Sequence, residues 1–360
     1  MTEITAATVS TTTKILALDL GKFKSVACVL EPGGGEHRFE TIVTSPPTVH
    51  DLLIEVMPEV LVIEACSIAG WVFDLATTLG IAVRVANANG EAWTWKKVKR
   101  KTDRDDALKL ARLCVMNQLP TVHMPETSVR QWKGLIKYRH ALVDRRTGIK
   151  NTIRSLLDAQ GLSMAGRSRG WTATAIKELA ERGKPLDSCE AMELWRGQLQ
   201  LELTMLKQVG EVIEEVDLKL DAIQSVDART IRLKTIPGVG PRLAELVVAT
   251  IDDAGRFKTA GQVGAYAGLV PKQYQSGSMN RQGRITGQGP GLLRRVLVQV
   301  AWGMQRREGR GKIVFERLCH GQRTRRKQAV VALARKILVW CWAMLRDQTT
   351  WRDPAAMTPA

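Results

Sequence analysis

Four acidic residues in the first third of the chain have the spacing of a divalent-metal site. Asp19 ends the apolar run KILALDL, and Glu64 lies near the end of a second apolar run, VLVIEA. Asp103 and Asp106 lie three positions apart at the start of a predicted helix, so they share one face of it. Carboxylate oxygens in this number suit Mg²⁺ or Mn²⁺, and two such ions roughly 3.5–4 Å apart serve in-line phosphoryl transfer. We therefore expect the four acids to form one site that binds Mg²⁺, with Mn²⁺ as a substitute.

Each of these acids also has a simpler interpretation. Asp103 could cap its helix, because an acid at a helix N-terminus meets the positive end of the helix dipole. Asp19 alone could be a turn residue. Glu64 is harder to explain in this way, because its apolar neighbours predict a buried strand and a buried charge needs a partner.

The elements that must position these acids have the order of a mixed α/β domain. Apolar runs predict strands at 14–20 and 25–30, and a glycine-rich turn leads to a third strand at about 37–44. After it, helices and strands alternate. The alternating part comprises a helix at 49–57, a strand at 60–65, a helix at 68–79, a strand at 81–86 and a helix at 103–116. This order of elements resembles the fold of ribonuclease H and the RuvC resolvase. It comprises a strand, a hairpin, an acid at the end of a strand and an acid on a helix.

A long helix from 128 to about 159 is predicted to follow this domain. Four of its apolar residues recur at intervals of seven, which is coiled-coil spacing: Leu135, Leu142, Ile149 and Leu156. The adjoining stripe contains Arg139 and Arg146, which suits a short partner or an anion. A second apolar periodicity from Leu199 to Ile223 predicts another helix, so the two could form an antiparallel arm or a dimerising bundle.

Residues 267–295 contain serines that could attack a phosphodiester. This segment is dense in Gly, Ser and Arg and is predicted to be a flexible loop that carries Ser276 and Ser278. Neighbouring arginines would stabilise charge that develops on a phosphate. Composition does not separate the two serines, and a serine in a glycine-rich loop is commonly only a turn former.

The charge of the chain favours a polyanionic partner, although charge can also serve solubility alone. Lys and Arg number 53 against 36 acids, which gives a net charge of +17. From Arg281 to Arg346 there are 16 Lys and Arg residues and only two acids. The basic candidates for nucleic-acid binding are Lys96, Lys97, Lys99, Arg100, Lys101, Arg281, Arg284, Arg294 and Arg295.

The segment Pro237-Gly238-Val239-Gly240 separates two apolar helical stretches and resembles a helix-hairpin-helix turn. Glycines there let backbone amides approach a phosphate, and the next helix adds its positive end. Such turns bind the nucleic-acid backbone without specifying sequence, so Gly238 and Gly240 are further candidates. The alternative is an ordinary turn between helices.

Neither end of the chain predicts export or membrane insertion. No uninterrupted apolar run approaches the roughly 20 residues that cross a bilayer. The first 13 residues contain no Lys or Arg and lack the apolar middle of a secretory signal. We expect a cytoplasmic protein with a loose N-terminal tail.

Six segments resemble, in chain order, the DEDD transposases of the IS-one-ten insertion-sequence family. They are LALDLGKFKS, VIEACSIAGW, KTDRDDALKLA, IPGVGPRLA, GAYAGLVP and YQSGSMNRQGRIT. The similarity extends over about residues 14 to 345, and its most specific part is KTDxxDA followed by a later Arg-rich loop that contains Ser-Gly.

This resemblance implies a domain organisation. Family members have an N-terminal RuvC-like domain, a coiled-coil arm and a mostly α C-terminal transposase domain with a catalytic serine. The corresponding divisions of this chain are a tail at 1–13, the RuvC-like domain at 14–125, the arm at 126–229, the transposase domain at 230–346 and a tail at 347–360.

The resemblance also implies an activity, partners and roles for residues. Family members exchange strands between donor and target double-stranded DNA, guided by a structured bridge RNA, and they act as tetramers, which implies a nucleoid-associated protein in a bacterial cell. By motif, Asp19, Glu64, Asp103 and Asp106 would hold Mg²⁺, and Ser276 would attack DNA to form a phosphoserine intermediate.

The chain departs from the family pattern at three places. Gln275-Ser276-Gly277 replaces the frequent Ser-Ser-Gly, which favours Ser276 but leaves Ser278 as an alternative. Asn87-Ala88 replaces Asn-Pro, and Gly289-Pro290-Gly291 replaces the Gly-Asn that precedes Leu-Arg-Arg. These changes concern the geometry of loops more than the chemistry.

The sequence is compatible with three functions. The first is a transposase that forms a serine–DNA bond. The second is a RuvC-like Holliday-junction endonuclease that uses metal-activated water, against which the late arginine-rich region and Ser276 argue. The third is a nucleic-acid-binding assembly protein with structural acids, against which the order of the four acids argues.

Overall fold

The computed structural model of the chain describes residues 13–31, 33, 35–87, 102–164, 166–276 and 279–352. Contacts between residues divide the chain into two compact units, Met1–Thr127 and Ser128–Ala360. The buried apolar side chains of the two units belong to separate clusters, so each unit has a core of its own.

The first unit contains the mixed α/β domain that the sequence predicts. Its elements are β1 (Ile15–Asp19), β2 (Lys24–Leu30), β3 (His37–Val43), α1 (Pro46–Val56), β4 (Val60–Glu64), α2 (Ala69–Thr78), β5 (Ala82–Ala86) and α3 (Asp103–Val115). The strand order is β3-β2-β1-β4-β5. β1, β2 and β3 pair antiparallel, whereas β4 pairs parallel with both β1 and β5.

Helices cover both faces of this sheet, because the strands are apolar on both sides. Alternate residues of β1 and β4, such as Ala17 and Val62, join the core formed with α3. The intervening residues, such as Leu18 and Ile63, join the core formed with α1 and α2. Every residue of β1 and β4 is therefore buried except the last one of each strand.

The second unit is mostly helical. It contains α4 (Thr127–Ala159), α5 (Ala173–Arg182), α6 (Leu194–Val226), α7 (Ala228–Leu233), α8 (Pro241–Ile251), α9 (Ala260–Tyr266), β6 (Pro271–Ser276), β7 (Met279–Ile285), α10 (Gly291–Met304), α11 (Arg310–Cys319) and α12 (Arg326–Arg346). α5 and short 3₁₀ turns occupy the segment between α4 and α6, where the sequence has no clear periodicity.

Helices α4 and α6 lie side by side and antiparallel. Val129 near the start of α4 and Val226 at the end of α6 line the same cavity. The coiled-coil seam differs in part from the predicted one, because Leu135 and Leu156 are only half-buried. Trp132 and Ile153 of the adjoining stripe are buried with Leu142 and Ile149 instead.

Helix α12 is the central helix of the second unit. Together with the preceding 3₁₀ turn it forms a segment, Arg323–Arg346, that is long and apolar enough to cross a membrane by length and composition alone. Its Leu333, Ile337 and Leu338 side chains are fully buried against other helices of the unit. A core helix satisfies the same criteria of length and composition, so this segment is weak evidence for membrane insertion.

The prediction of a flexible loop around Ser276 is wrong. β6 and β7 form a two-stranded antiparallel ribbon, in which Ser276 pairs with Met279 at the outer end. The sequence did not indicate these strands because almost every side chain in them is polar and exposed, so no apolar alternation marks them.

Candidate active site

Asp19 and Glu64 are the last residues of two neighbouring parallel strands. β1 and β4 pair in register, with Leu18 opposite Ile63, and the two acids are the next residues along each strand. Because side chains alternate across a strand, both carboxylates belong to the sheet face that α3 covers. Both side chains are half-buried.

Helix α3 carries the other two acids in its first turn, and Asp106 lies on the side that faces this sheet. Asp106 lies one turn before Leu110, whose side chain is fully buried in the core between α3 and the sheet. Only 6% of the Asp106 surface is exposed. Asp103, one turn earlier still, is exposed to solvent. The helix packs against β1, β2 and β4, which include both strands that end in acids.

Asp103 is not the residue that caps α3. The cap is Thr102, whose Oγ1 accepts a hydrogen bond from the Asp105 backbone N–H at 3.2 Å and donates one to Asp105 Oδ2 at 2.7 Å. Thr102 therefore takes the N-cap role, while Asp103 still lies in the first turn, where an acid interacts favourably with the helix dipole. Asp105, which lies between the two candidate ligands, therefore contributes to the N-cap of α3.

The chemistry of the four acids suits a divalent metal, and two of them, Asp19 and Glu64, share a face of the sheet. All are carboxylates, the ligand type that hard cations such as Mg²⁺ prefer. Within the described ranges, no three Asp, Glu, His or Cys side chains are placed as a group that could hold a metal ion. Asp19 and Glu64 thus share the sheet face against which α3 packs, while the arrangement of the four acids as metal ligands stays a prediction.

Ser276 is the last residue of β6 and is exposed. All six residues of β6 are exposed, so the strand extends away from the helical core. The alternative nucleophile, Ser278, lies outside the described residues, as do Lys96, Lys97, Lys99, Arg100 and Lys101.

Arg294 holds the base of the ribbon. Its Nη1 donates to the backbone carbonyls of Ala267, Gln288 and Gly289, at 3.1, 2.6 and 3.1 Å. Ala267 precedes β6, and the other two carbonyls follow β7, so one guanidinium joins both flanks of the ribbon. Sequence alone does not distinguish this arginine from one that binds a phosphate.

The remaining basic candidates differ in their surroundings. Arg295 forms an ion pair with Asp144 of α4, at 2.9 Å to Oδ2. Arg281 and Arg284 lie on β7 and are exposed, and neither forms an ion pair with another described residue. The two ribbon arginines are therefore the ones best placed to meet an external anion.

The glycine turn leads from α7 into α8. Gly238 has a φ of +89°, and a Cβ on it would lie 2.8 Å from Met304 Cγ, so the turn requires glycine here. Gly240 is the N-cap of α8, and open space surrounds the position that its Cβ would occupy. This geometry suits an ordinary turn and a helix-hairpin-helix equally well.

Sequence reasoning missed a partly buried ionic cluster between α4, α6 and α8, in which Glu245 alone is fully buried. Arg242 of α8 pairs with Asp217, Asp221 and Glu245, and Asp217 also accepts two hydrogen bonds from Arg139. Burial raises the pKa of Glu245 to about 7, although the Arg242 charge opposes this. Burial also acts to raise the pKa of Asp217, but hydrogen bonding and charge from Arg139, with the charge of Arg242, bring it below its usual value. The one signal in the sequence is the acid within the apolar run RLAELVVAT.

Comparison with known proteins decides the family. A family model described as the transposase IS116/IS110/IS902 family matches residues 231–314, and a model of the DEDD transposase of IS110-type elements matches residues 16–160. A probable family 20 transposase of Pseudomonas aeruginosa is 30% identical over 84% of this chain and 89% of its own length. The chain belongs to the IS116/IS110/IS902 transposase family. It is therefore a transposase, an enzyme that cleaves and rejoins DNA, and DEDD transposase domains generally use divalent metal ions.

Other relatives of this transposase are named for mobile elements or for DNA inversion. The transposase of insertion sequence element IS1328 from Yersinia enterocolitica is 32% identical over 70% of this chain and 74% of its own length. A pilin gene-inverting protein of Moraxella lacunata is 25% identical over 69% of this chain and 67% of its own length. The DEDD transposase model includes the four acids, and the IS116/IS110/IS902 model includes Ser276.

Proposed function

We propose that this transposase exchanges strands between donor and target DNA through a covalent bond between Ser276 and DNA. The observation that carries the proposal is the position of Ser276, exposed at the outer end of an exposed ribbon that bears Arg281 and Arg284. A nucleophile must reach a phosphate that is itself held within a large duplex, and an exposed ribbon end permits that approach. The two arginines supply positive charge near the reacting phosphate.

The exchange conserves the number of phosphodiester bonds. The Ser276 Oγ–P bond forms while one P–O bond of the DNA strand breaks, and the departing deoxyribose oxygen leaves as a hydroxyl after the serine proton has been transferred. The hydroxyl of the partner strand then attacks the phosphoserine and releases the serine. Because each step exchanges one phosphate ester for another, no ATP is required.

Asp19, Glu64, Asp103 and Asp106 are proposed to hold Mg²⁺, for which Mn²⁺ could substitute. When bound, the ion would neutralise charge on the phosphate and orient its oxygens. Support comes from the shared sheet face of Asp19 and Glu64, from the buried position of Asp106 opposite it, and from the match to DEDD transposases.

The partners and assembly of the protein are proposed from the family resemblance. They are a bridge RNA that pairs with both DNAs, and a tetramer in which the acids of one protomer act with Ser276 of another. The division of the chain into a RuvC-like domain, an arm and a transposase domain belongs to the same proposal. We place the enzyme on the nucleoid in the bacterial cytoplasm, where such DNA is found.

A relative that inverts a gene favours strand exchange over hydrolysis. The pilin gene-inverting protein of Moraxella lacunata is named for an outcome in which cut ends are joined again. A RuvC-like endonuclease that uses metal-activated water would leave free ends, so the two mechanisms differ in whether protein becomes linked to DNA.

The proposal is tested by looking for that linkage. The purified full chain is incubated with Mg²⁺, the RNA transcribed from its own element, and a labelled duplex that spans the end of that element. We expect a protein–DNA adduct that survives denaturation, that is lost in Ser276→Ala and that persists in Ser278→Ala. Free cleaved ends without an adduct would instead support the endonuclease, and intact DNA under all conditions would support a structural binding protein.

A further inference from the structure

The ribbon β6–β7 has two chemically different faces. Its register pairs Ser276 with Met279 and Tyr274 with Arg281, so these four side chains share one face. On the outer side of the irregularity between Pro271 and Gln273, the paired positions of the other face are all carboxamides, with Gln275 opposite Asn280 and Gln273 opposite Gln282. We call these the serine face and the carboxamide face.

Among the described residues of the second unit, none covers either face. Apart from Gly283 and Ile285 near the base, every described residue of the two strands is exposed, including the Tyr274 ring at 56%. A two-stranded ribbon with polar side chains on both sides is only marginally stable in water. Contacts between its side chains and a bound partner would stabilise such a ribbon.

The positive charge of the ribbon favours a polyanion as that partner. Residues 271–285 include Lys272, Arg281 and Arg284 and no acid. The ribbon is about 20 Å long, from a rise of about 3.3 Å per residue. The major groove of duplex DNA is roughly 12 Å wide and admits a two-stranded ribbon, whereas the minor groove is roughly half that width.

The carboxamide face has the hydrogen-bonding groups that base edges require. Each carboxamide offers a donor and an acceptor side by side, which matches the N6 and N7 atoms of adenine. The contacts within the face are long, 3.4 Å from Gln273 Nε2 to Gln275 Oε1 and 3.5 Å to Asn280 Oδ1. Bonds of that length are weak, so a base can replace them at small cost.

We propose that the ribbon lies in the major groove of duplex DNA beside the scissile phosphate, where the carboxamide face contacts base edges and the serine face is turned toward the backbone. The inference rests on the proposed role of Ser276, because that role places DNA at the end of the ribbon. It adds a direct protein contribution to the choice of DNA sequence. Phosphate contacts by the arginines would set the register, and the neutral carboxamides would discriminate among bases.

The experiment compares Gln273→Met/Gln282→Met with the wild-type chain on the duplex that spans the element's end. Methionine keeps the length of glutamine and removes its hydrogen bonds. Dimethyl sulfate, which methylates guanine N7 in the major groove, and hydroxyl radicals, which report the backbone, are applied to each complex. Gln208→Met, an exposed glutamine on α6, is the matched control.

We expect the double variant to lose major-groove protection and keep backbone protection. Its preference for this duplex over one with altered bases beside the cleavage site should fall by roughly 5- to 150-fold per lost contact pair, the range for bidentate base contacts. Gln208→Met should match the wild type in both assays. An unchanged thermal midpoint of the double variant would show that the fold is intact, and Gln275→Met provides a second variant if it is not.

The inference is overturned if both footprints and the sequence preference stay unchanged in the double variant. It is also overturned if the carboxamides are needed to bind an RNA duplex of the same sequence and not the DNA. Ser276→Ala separates the two proposals, since it should abolish the covalent adduct and keep the carboxamide-dependent footprint. A footprint that depends on the carboxamides, without any adduct in the wild type, would refute the role of Ser276 alone.

Discussion

Arg139 of α4 donates two hydrogen bonds to Asp217 of α6, from Nε to Oδ1 at 2.9 Å and from Nη2 to Oδ2 at 3.1 Å. Both side chains are mostly buried, and the pair joins α4 and α6 within the second unit. Arg139 belongs to the stripe of α4 that the sequence predicts to meet a short partner or an anion, and it meets a carboxylate of the same chain. This bidentate pair has the geometry in which Arg and carboxylate interact most strongly.

Removing Arg139 is expected to destabilise the second unit. Arg139→Met would leave Asp217 partly buried with one partner fewer, since Arg242 also contacts it. Breaking a buried pair by removing one partner costs about 3–5 kcal/mol, and the remaining contact with Arg242 should reduce this to about 1–3 kcal/mol. Urea unfolding of Arg139→Met, with Arg145→Met on the exposed side of α4 as control, measures the difference. Equal midpoints for the two variants would contradict the assignment.

Glu245 is expected to make stability depend on pH. Its pKa in the folded chain is about 7, above the ordinary value of 4.5, because burial disfavours the carboxylate. The folded state then binds more protons than the unfolded state between these values. The contribution of Glu245 is fully present below about pH 4.5 and is lost as pH rises through about 7.

The test is the difference in unfolding free energy between Glu245→Gln and the wild type at several pH values. Glutamine does not ionise, so the variant should gain stability relative to the wild type as pH rises from 5 to 8. Glu214→Gln, an exposed acid on α6, should give a difference that does not change with pH. A constant difference for Glu245→Gln would show that the carboxyl is ionised throughout this range.

Arg294 is expected to position Ser276 without contributing to DNA affinity. Arg294→Lys keeps the charge, but a single ammonium cannot reproduce the clamp on Ala267, Gln288 and Gly289. Misplacing a reacting group by about 1 Å can lower a rate by about 100-fold. The rate of adduct formation should therefore fall by at least about tenfold, while the DNA dissociation constant changes little. A loss of affinity as large as the loss of rate would place Arg294 on the DNA, and Arg317→Lys on α11 is the control.

DNA binding should weaken steeply with salt. Each phosphate that a cation neutralises adds about 0.9 to the negative slope of log affinity against log salt concentration. Arg281→Ala and Arg284→Ala should each reduce that slope by about one, whereas Gln282→Met should leave it unchanged because no charge is removed. Titrations at several salt concentrations measure the slopes, and a nearly flat dependence for the wild type would contradict a polyanionic partner.

The proposed metal site is tested by comparing substitutions of its acids with a substitution of Asp105, the neighbouring acid on α3. Asp106→Asn should reduce metal-dependent cleavage by at least about 100-fold, and Asp19→Asn should do the same, whereas chelation with EDTA should abolish cleavage by the wild type. Asp105→Asn should retain activity within a few-fold and lose about 1 kcal/mol of stability, because Asp105 serves the cap with Thr102. Full activity in Asp19→Asn or Asp106→Asn would refute the metal site.

Local patterns in the sequence determined the first unit well. Apolar runs mark most strands of its sheet, and each helix has its own periodicity, so the elements around Asp19 and Glu64 are predicted to within a few residues. The sequence also determined that four acids stand where these elements begin or end. Such features depend on neighbours along the chain, which a single sequence displays directly.

The tertiary structure decided everything that depends on distant partners. Asp217 follows Arg139 by 78 positions, and the carbonyls that bind Arg294 belong to turns whose approach no local signal encodes. The sequence predicts a loop around Ser276 where the structure has a ribbon, because strands exposed on both faces have no hydrophobic alternation to reveal them. Burial then turned Glu245 from an ordinary acid into one with a raised pKa, since desolvation exists only once the helices have packed.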